Sequence, residues 1–108
     1  MPRKICISVV GSGDEELNPQ IAKIANEVGR EIASRDAVLI CGGLGGVMAE
    51  AAKGAKENGG LTIGILPGEE PGSANPFIDV ALPTGLGFAR NVLVAYSGDA
   101  VIAISGRL

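Results

Sequence analysis

The chain has 108 residues, of which 46% are hydrophobic, 19% are charged and 3% are aromatic, and its net charge at pH 7 is −3. This length is sufficient to bury a core without disulfide or metal cross-links, so we expect one domain over residues 1–108. The chain contains no histidine, which excludes Ser-His-Asp and Cys-His catalysis and most zinc sites within it.

The first predicted elements are a strand and a helix. Residues 5–10 form an apolar run typical of a buried strand, which ends at the glycines of residues 11–13. Asn18 is suited to cap a helix that has Pro19 at its first position. One face of this helix carries apolar residues at helical spacing and is expected to cover the sheet: Ile21, Ile24, Ala25, Val28 and Ile32.

The middle of the chain repeats this order. Residues 37–41 predict a second buried strand, and residues 47–56 predict a helix directly after a glycine-rich turn. Residues 61–66 predict a third strand. Residues 69–76 are rich in Pro, Gly and acidic residues and are expected to form a surface loop.

The last predicted elements are a weaker strand over residues 78–82, a helix, and a fifth strand over residues 100–104. The helix carries Ala89, Val92, Leu93 and Tyr96 on one side. Core packing is the favoured use of Phe88 and Tyr96, the alternative being stacking on a ligand ring.

Alternation of strands and helices predicts an α/β fold of Rossmann-like, doubly wound type: a mainly parallel sheet of about five strands with helices on both faces. Such folds usually continue into another helix after a strand like the fifth. We therefore expect a Rossmann-like nucleotide-binding domain that lacks its C-terminal helices, or one whose open flank a partner covers.

Glycine turns follow several of the predicted strands and should lie at the carboxyl edge of the sheet, where open α/β folds bind ligands. The turn over residues 42–46 is the strongest candidate phosphate site, because its amides and the start of the next helix can converge on an anion. It consists of Gly42, Gly43, Leu44, Gly45 and Gly46. The alternative is that these glycines only permit a tight turn and close packing.

A second contact is expected from Gly11, Ser12 and Gly13. This turn begins like a dinucleotide fingerprint but has Glu16 where the third glycine belongs, and no acidic residue closes the second strand, so ordinary NAD binding is disfavoured. A Walker A motif is absent from the sequence.

The third candidate group is Thr84, Gly85, Arg90 and Asn91. Arg90 lies in the first turns of a predicted helix, just past a glycine turn, where its guanidinium could clamp a phosphate or carboxylate. The alternative is a solvated helix arginine. Cys41 beside the 42–46 turn is expected to be a buried small hydrophobe rather than a reactive thiol.

The sequence resembles a Rossmann-like superfamily that holds the molybdenum-cofactor carrier proteins, the Lonely Guy phosphoribohydrolases and the lysine decarboxylase-like proteins. The segments that carry the resemblance, in family order, are residues 9–13, 41–48, 64–68, 84–91 and 97–104. The match is nearest to the carrier-like branch, which implies a homo-oligomer that binds a nucleotide or a molybdopterin-type cofactor. The hydrolase branch has a second glycine motif followed by a Glu, and residues 104–108 contain only its opening, without that Glu.

Three interpretations follow from the sequence. The first is a carrier that binds a phosphate-bearing small molecule, with no catalytic residue and no metal ligand assigned. The second is a nucleoside 5′-monophosphate phosphoribohydrolase whose catalytic Glu lies beyond this chain, because cleavage of the glycosidic bond needs a carboxylate; Glu50 is the only nearby substitute. The third is an oligomerisation module in which the glycines serve packing alone.

Dispersed basic residues predict no nucleic-acid partner, and the absence of an apolar run of roughly 20 residues predicts no membrane partner and a cytoplasmic location.

Overall fold

The computed structural model describes residues 3–104. Five strands form one sheet: β1 (Cys6–Gly11), β2 (Val38–Cys41), β3 (Thr62–Leu66), β4 (Val80–Pro83) and β5 (Ala100–Ile104). All neighbours are parallel and the spatial order is β4-β3-β2-β1-β5. The predicted α/β, Rossmann-like fold is therefore confirmed, and the carboxyl ends of all five strands lie at one edge.

Three helices cover the sheet. Helices α1 (Pro19–Ser34) and α2 (Val47–Glu57) pack on one face, where they share a core with Val9, Leu39 and Cys41. Helix α3 (Arg90–Ser97) lies on the other face, where Val94 packs with Ile40 and Ile65. Short 3₁₀ turns occupy Pro71–Ser73 and Gly87–Ala89.

The start of α1 forms as the sequence predicts. The Asn18 side chain accepts a hydrogen bond of 2.8 Å from the Gln20 amide, and Pro19 begins the helix. Ala25 and Ile32 are buried as expected, but Ile24 is half exposed. Ile24 instead lines a groove between α1 and the neighbouring strands, together with Ile5, Val28 and Ile102.

Helix α3 has the opposite orientation to the one expected. Arg90 and Val94 point toward the sheet, whereas Val92, Leu93 and Tyr96 are exposed, and Phe88 just before the helix is also exposed. The prediction that Phe88 and Tyr96 pack in the core was therefore wrong. The helix is apolar around most of its circumference, so its sequence pattern does not indicate which side meets the sheet.

Among the described residues, no helix is both long enough and apolar enough to cross a bilayer. Strand β5 pairs with β1 along its whole length. The glycine turn predicted after β5, and with it the expected lack of C-terminal helices, concerns residues 105–108 and beyond, which lie outside the described residues.

Candidate functional site

Two of the predicted glycine turns meet at the carboxyl edge of the sheet. The 42–46 turn connects β2 to α2, and the 11–13 turn follows β1. The Val47 amide donates a hydrogen bond of 2.9 Å to the Ser12 carbonyl, which ties the start of α2 to the 11–13 turn. Gly46 has φ +64, and a Cβ there would meet the carbonyl oxygens of Ser12 and Asp14. Only glycine satisfies both the conformation and this close approach.

The amides of the 42–46 turn differ in whether the protein satisfies them. The Gly43 amide donates weakly to the Cys41 sulfur at 3.4 Å. Among the described residues, the amides of Leu44, Gly45 and Gly46 make no hydrogen bond to protein. An anion at this corner would therefore meet the middle of the turn, because the Val47 amide is already engaged.

Asn75 holds the outer side of the same turn, and sequence reasoning missed it. Its side-chain amide donates to the Leu44 carbonyl at 2.7 Å, and its backbone amide donates to the Gly43 carbonyl at 2.9 Å. Both carbonyls are thereby satisfied by the protein. An Asn within a Pro- and Gly-rich loop is an ordinary turn former, so the sequence carried no signal for this role.

Arg90 is buried, with 8% of its surface exposed, and it lies against the 42–46 turn. Its Nη2 lies 3.4 Å from the Gly42 carbonyl oxygen and 3.9 Å from the Met48 sulfur, and its Nη1 contacts the Asn91 side-chain oxygen. A Cβ at Gly42 would lie 2.6 Å from Nη2. Gly42 therefore makes room for the guanidinium, which lies beside the 42–46 turn.

The charge of Arg90 has no partner among the described residues. The ion pairs found there belong to Arg3, Lys4, Arg35 and Lys56, and the Arg90 Nε is buried without a hydrogen bond. Burial lowers the pKa of Arg90, but an arginine stays protonated in proteins. A buried positive charge without a carboxylate is costly unless an anion compensates it.

Cys41 ends β2 at the base of the turn and is fully buried. Burial raises the pKa of its thiol to about 11, although the Gly43 amide and Arg90 act in the opposite direction. The thiol is therefore protonated at neutral pH, and the expectation of a buried small hydrophobe is confirmed.

Thr84 and Gly85 make their hydrogen bonds elsewhere. The Thr84 hydroxyl donates to the Leu66 carbonyl at 2.7 Å, and the Gly85 amide donates to the Gly68 carbonyl at 2.9 Å. These bonds fasten the loop after β4 to the loop after β3. The bonds go neither to Arg90 nor to the 42–46 turn.

Two acidic residues lie near the turn. The Glu15 Cγ lies 3.5 Å from where a Cβ of Gly45 would be, so its carboxylate borders the free amides. The Glu50 amide bonds to the Gly46 carbonyl within the first turn of α2. Within residues 3–104, no group of three His, Cys, Asp or Glu could hold a metal ion.

Comparison with known proteins identifies the family. Residues 4–108 match the model of the SLOG cluster4 family. An uncharacterized protein of Archaeoglobus fulgidus is 46% identical over 100 residues, which are 93% of this chain and 64% of that protein.

Two solved structures are similar over nearly the whole chain. The molybdenum cofactor binding protein of Rippkaea orientalis has 44% identity and a TM-score of 0.93, over 98% of this chain and 65% of its own. The Moco carrier protein of Chlamydomonas reinhardtii has 42% identity and a TM-score of 0.86, over 97% of this chain and 64% of its own. The chain thus spans about two thirds of the length of these relatives, and it belongs to the SLOG cluster4 family.

Proposed function

We propose that this chain binds a phosphate-bearing cofactor of the molybdopterin class and acts as a carrier, without chemistry on its ligand. The observation that carries the proposal is Arg90, a buried cation whose Nε has no partner and which lies against a turn with free amides. A phosphate group supplies about two negative charges and three acceptor oxygens, which match this set of donors.

The residues present fit such a group. The phosphate would be held by the amides of Leu44, Gly45 and Gly46 and by the Arg90 guanidinium, with Ser12 and Gly13 at the side of the site. Asn91 orients the guanidinium through its contact with Nη1. Arg90 supplies positive charge at the site, and the absence of a side chain at Gly42 leaves the space that its guanidinium occupies.

Similarity to cofactor carriers supports the molybdopterin class over other phosphorylated ligands. Both solved structures described above carry molybdenum cofactor in their names. The neutral Cys41 thiol and the lack of histidine agree with a binding role rather than nucleophilic or general-base chemistry.

Anaerobic calorimetric titration tests the proposal. Isolated molybdenum cofactor, GMP and inorganic phosphate are titrated into the wild-type protein, the Arg90→Gln variant and the Arg30→Gln variant. Arg30 is an exposed arginine on α1 and serves as the matched control. We expect saturable binding of the cofactor, a loss of about 100-fold in Arg90→Gln, equivalent to about 2.7 kcal/mol, and no change in Arg30→Gln.

Two results would contradict the proposal. Absence of binding by folded wild-type protein would show that the proposed ligand class is wrong. Equal affinity in Arg90→Gln would show that the ligand does not bind at Arg90. Release of guanine from GMP would favour the phosphoribohydrolase interpretation instead.

A further inference from the structure

Asn75 contacts two successive peptide units of the 42–46 turn. Its backbone amide donates to the Gly43 carbonyl at 2.9 Å, and its side-chain amide donates to the Leu44 carbonyl at 2.7 Å. The first carbonyl belongs to the peptide unit that carries the Leu44 N–H, and the second belongs to the unit that carries the Gly45 N–H. One residue therefore restrains the orientation of both peptide planes.

Restraining these carbonyls also restrains the amides of Leu44 and Gly45. Every peptide bond of the described residues is trans, and in a planar trans peptide the N–H points opposite to the C=O. Both carbonyls point toward Asn75, so both N–H groups point away from it. Successive amides on one side of a turn form a concavity that binds anions, and these two have no partner among the described residues.

The position of Asn75 is itself determined by the protein. The Phe77 amide donates to the Asn75 side-chain oxygen at 2.9 Å, which leaves the side-chain nitrogen to face Leu44. The Asn75 carbonyl accepts a hydrogen bond of 3.2 Å from the Ile78 amide. Thr62 begins β3 and is fully buried, and its hydroxyl donates to the Phe77 carbonyl at 2.6 Å. Asn75 is thus connected to the sheet through a chain of hydrogen bonds.

We propose that Asn75 is a positioning residue of the proposed phosphate site and that it couples the loop between β3 and β4 to ligand binding. This inference rests on the proposed function, to which it adds the residue that presents the binding amides. Asn75 acts through the peptide units of Leu44 and Gly45 rather than by contact with the ligand. An N–H that donates to an anion makes the carbonyl of the same peptide unit a stronger acceptor, so bound phosphate strengthens the two hydrogen bonds from Asn75.

Affinity for isolated molybdenum cofactor, measured by anaerobic calorimetry, tests the role. Asn75→Ala should bind about tenfold more weakly than the wild type, a loss within the usual range for coupled sites. The matched control is Asn58→Ala, because the Asn58 side-chain amide also donates to a backbone carbonyl, that of Gly54 at 2.8 Å. Both variants lose a hydrogen bond of the same kind, and circular dichroism verifies that both fold. Asn58→Ala should keep the wild-type affinity.

A charged variant separates donation to Leu44 from the hydrogen bond with Phe77. Asn75→Asp keeps an oxygen that accepts from the Phe77 amide, but at neutral pH its carboxylate cannot donate to the Leu44 carbonyl. We expect it to bind at least as weakly as Asn75→Ala. Ser73→Asp places the same charge at an exposed position of the same loop and should weaken binding by less than about threefold. Wild-type affinity in Asn75→Asp would limit Asn75 to shaping its own loop and would overturn the proposal.

Hydrogen exchange of the Asn75 backbone amide measures the same coupling from the side of the loop. Coupling between two sites is reciprocal, so saturating cofactor should slow this exchange by about tenfold, through less frequent local opening. The Asn58 backbone amide, which donates to the Ala55 carbonyl at 3.1 Å, should exchange at the same rate with and without cofactor. An asparagine that only stabilises its loop predicts no change at either amide.

The outcomes distinguish this inference from the proposed function. Weaker binding in Asn75→Ala and Asn75→Asp, with wild-type affinity in Asn58→Ala, supports the positioning role. Equal affinity in Asn75→Ala and the wild type, or exchange of the Asn75 amide that cofactor leaves unchanged, would overturn it while the proposed function stands. Absence of binding by the wild type would overturn both. Should Asn75→Ala fail to fold, the exchange measurement on the wild type decides alone.

Discussion

The 42–46 turn and the 84–87 turn lie at the same edge of the sheet and look alike in sequence. Both place glycines at positive φ, at Gly43 and Gly46 in the first and at Gly85 and Gly87 in the second. They differ in how their polar groups are satisfied. In the second turn the Gly85 and Gly87 amides donate to the carbonyls of Gly68 and Pro67, both at 2.9 Å.

In the 42–46 turn, within residues 3–104, the protein satisfies carbonyl groups and leaves central amides without partners. Its Gly43 and Leu44 carbonyls are engaged by Asn75, and its central amides are free among the described residues. The buried Arg90 guanidinium, which has no carboxylate partner there, lies beside Gly42. Glycines that shape a turn do not by themselves make a ligand site. Unmet donors beside a buried charge distinguish the proposed binding turn from the structural one.

The largest expected effect separates two glycines that both have positive φ. Gly46→Ala and Gly87→Ala both place a side chain at positive φ, which costs about 1–2 kcal/mol. A Cβ at Gly46 also meets backbone atoms of the loop after β1, whereas nothing lies within 4 Å at Gly87. Urea unfolding should show a loss of about 3 kcal/mol or more for Gly46→Ala and about 1 kcal/mol for Gly87→Ala. Equal losses would contradict tight packing between the 42–46 turn and the 11–13 turn.

Arg90→Met should act in two directions. Replacing an unpaired buried charge by an apolar side chain of similar length should stabilise the ligand-free protein by about 1 kcal/mol. The same change should weaken cofactor binding by about 100-fold. Thermal unfolding and calorimetry measure the two effects, with the exposed Arg35→Met as control. A destabilised Arg90→Met protein would indicate that Arg90 serves the fold rather than a ligand.

Cys41, at the base of the 42–46 turn, predicts an alkaline limit to stability. Its pKa is raised to about 11 in the folded state, whereas an unfolded thiol ionises near 8.5. The folded state therefore holds the proton more tightly, and its stability falls as pH rises from about 9 to 11, by on the order of 2 kcal/mol. Cys41→Ala should remove this part of the pH dependence. Parallel stability curves for the two proteins over that range would refute the assignment.

Gly42→Ala should affect binding more than stability. The added Cβ would meet the end of the Arg90 side chain and the Met48 sulfur, groups that can move at little cost. We expect about tenfold weaker binding of the cofactor, equivalent to about 1.4 kcal/mol, and a small change in unfolding free energy. Gly68→Ala is the control, because nothing lies within 4 Å of its Cβ position. Unchanged affinity would show that the guanidinium position is unimportant.

The smallest effect concerns Glu15, which borders the free amides. Glu15→Gln removes an exposed negative charge near the proposed phosphate and should strengthen phosphate binding about two- to threefold at low salt, because exposed charge interactions are worth at most about 1 kcal/mol. Glu16→Gln should have less effect. Weaker binding in Glu15→Gln would mean that the carboxylate itself contacts the ligand.

The sequence predicted the fold through local signals. Apolar runs and the Asn18 and Pro19 cap were sufficient for the strands and for α1, and the glycines after β1 and β2 indicated which edge carries the candidate site. Burial of Arg90 followed from tertiary packing, since its own helix offers no charge pattern that distinguishes a buried arginine from a solvated one. The same lack of pattern led to the wrong side of α3 being assigned to the core. The role of Asn75 depends on contacts about 30 residues away along the chain, which single-sequence periodicity does not report.

The most direct test of the account is the Arg90 Nε–H resonance in ¹⁵N-labelled protein, assigned by its loss in Arg90→Met. We predict that this resonance shifts saturably as molybdenum cofactor or inorganic phosphate is added, while the Nε–H resonances of Arg30 and Arg35 stay in place. An Arg90 resonance that remains unchanged at high concentrations of both would show that the buried guanidinium binds neither ligand. That result would contradict the proposed carrier function.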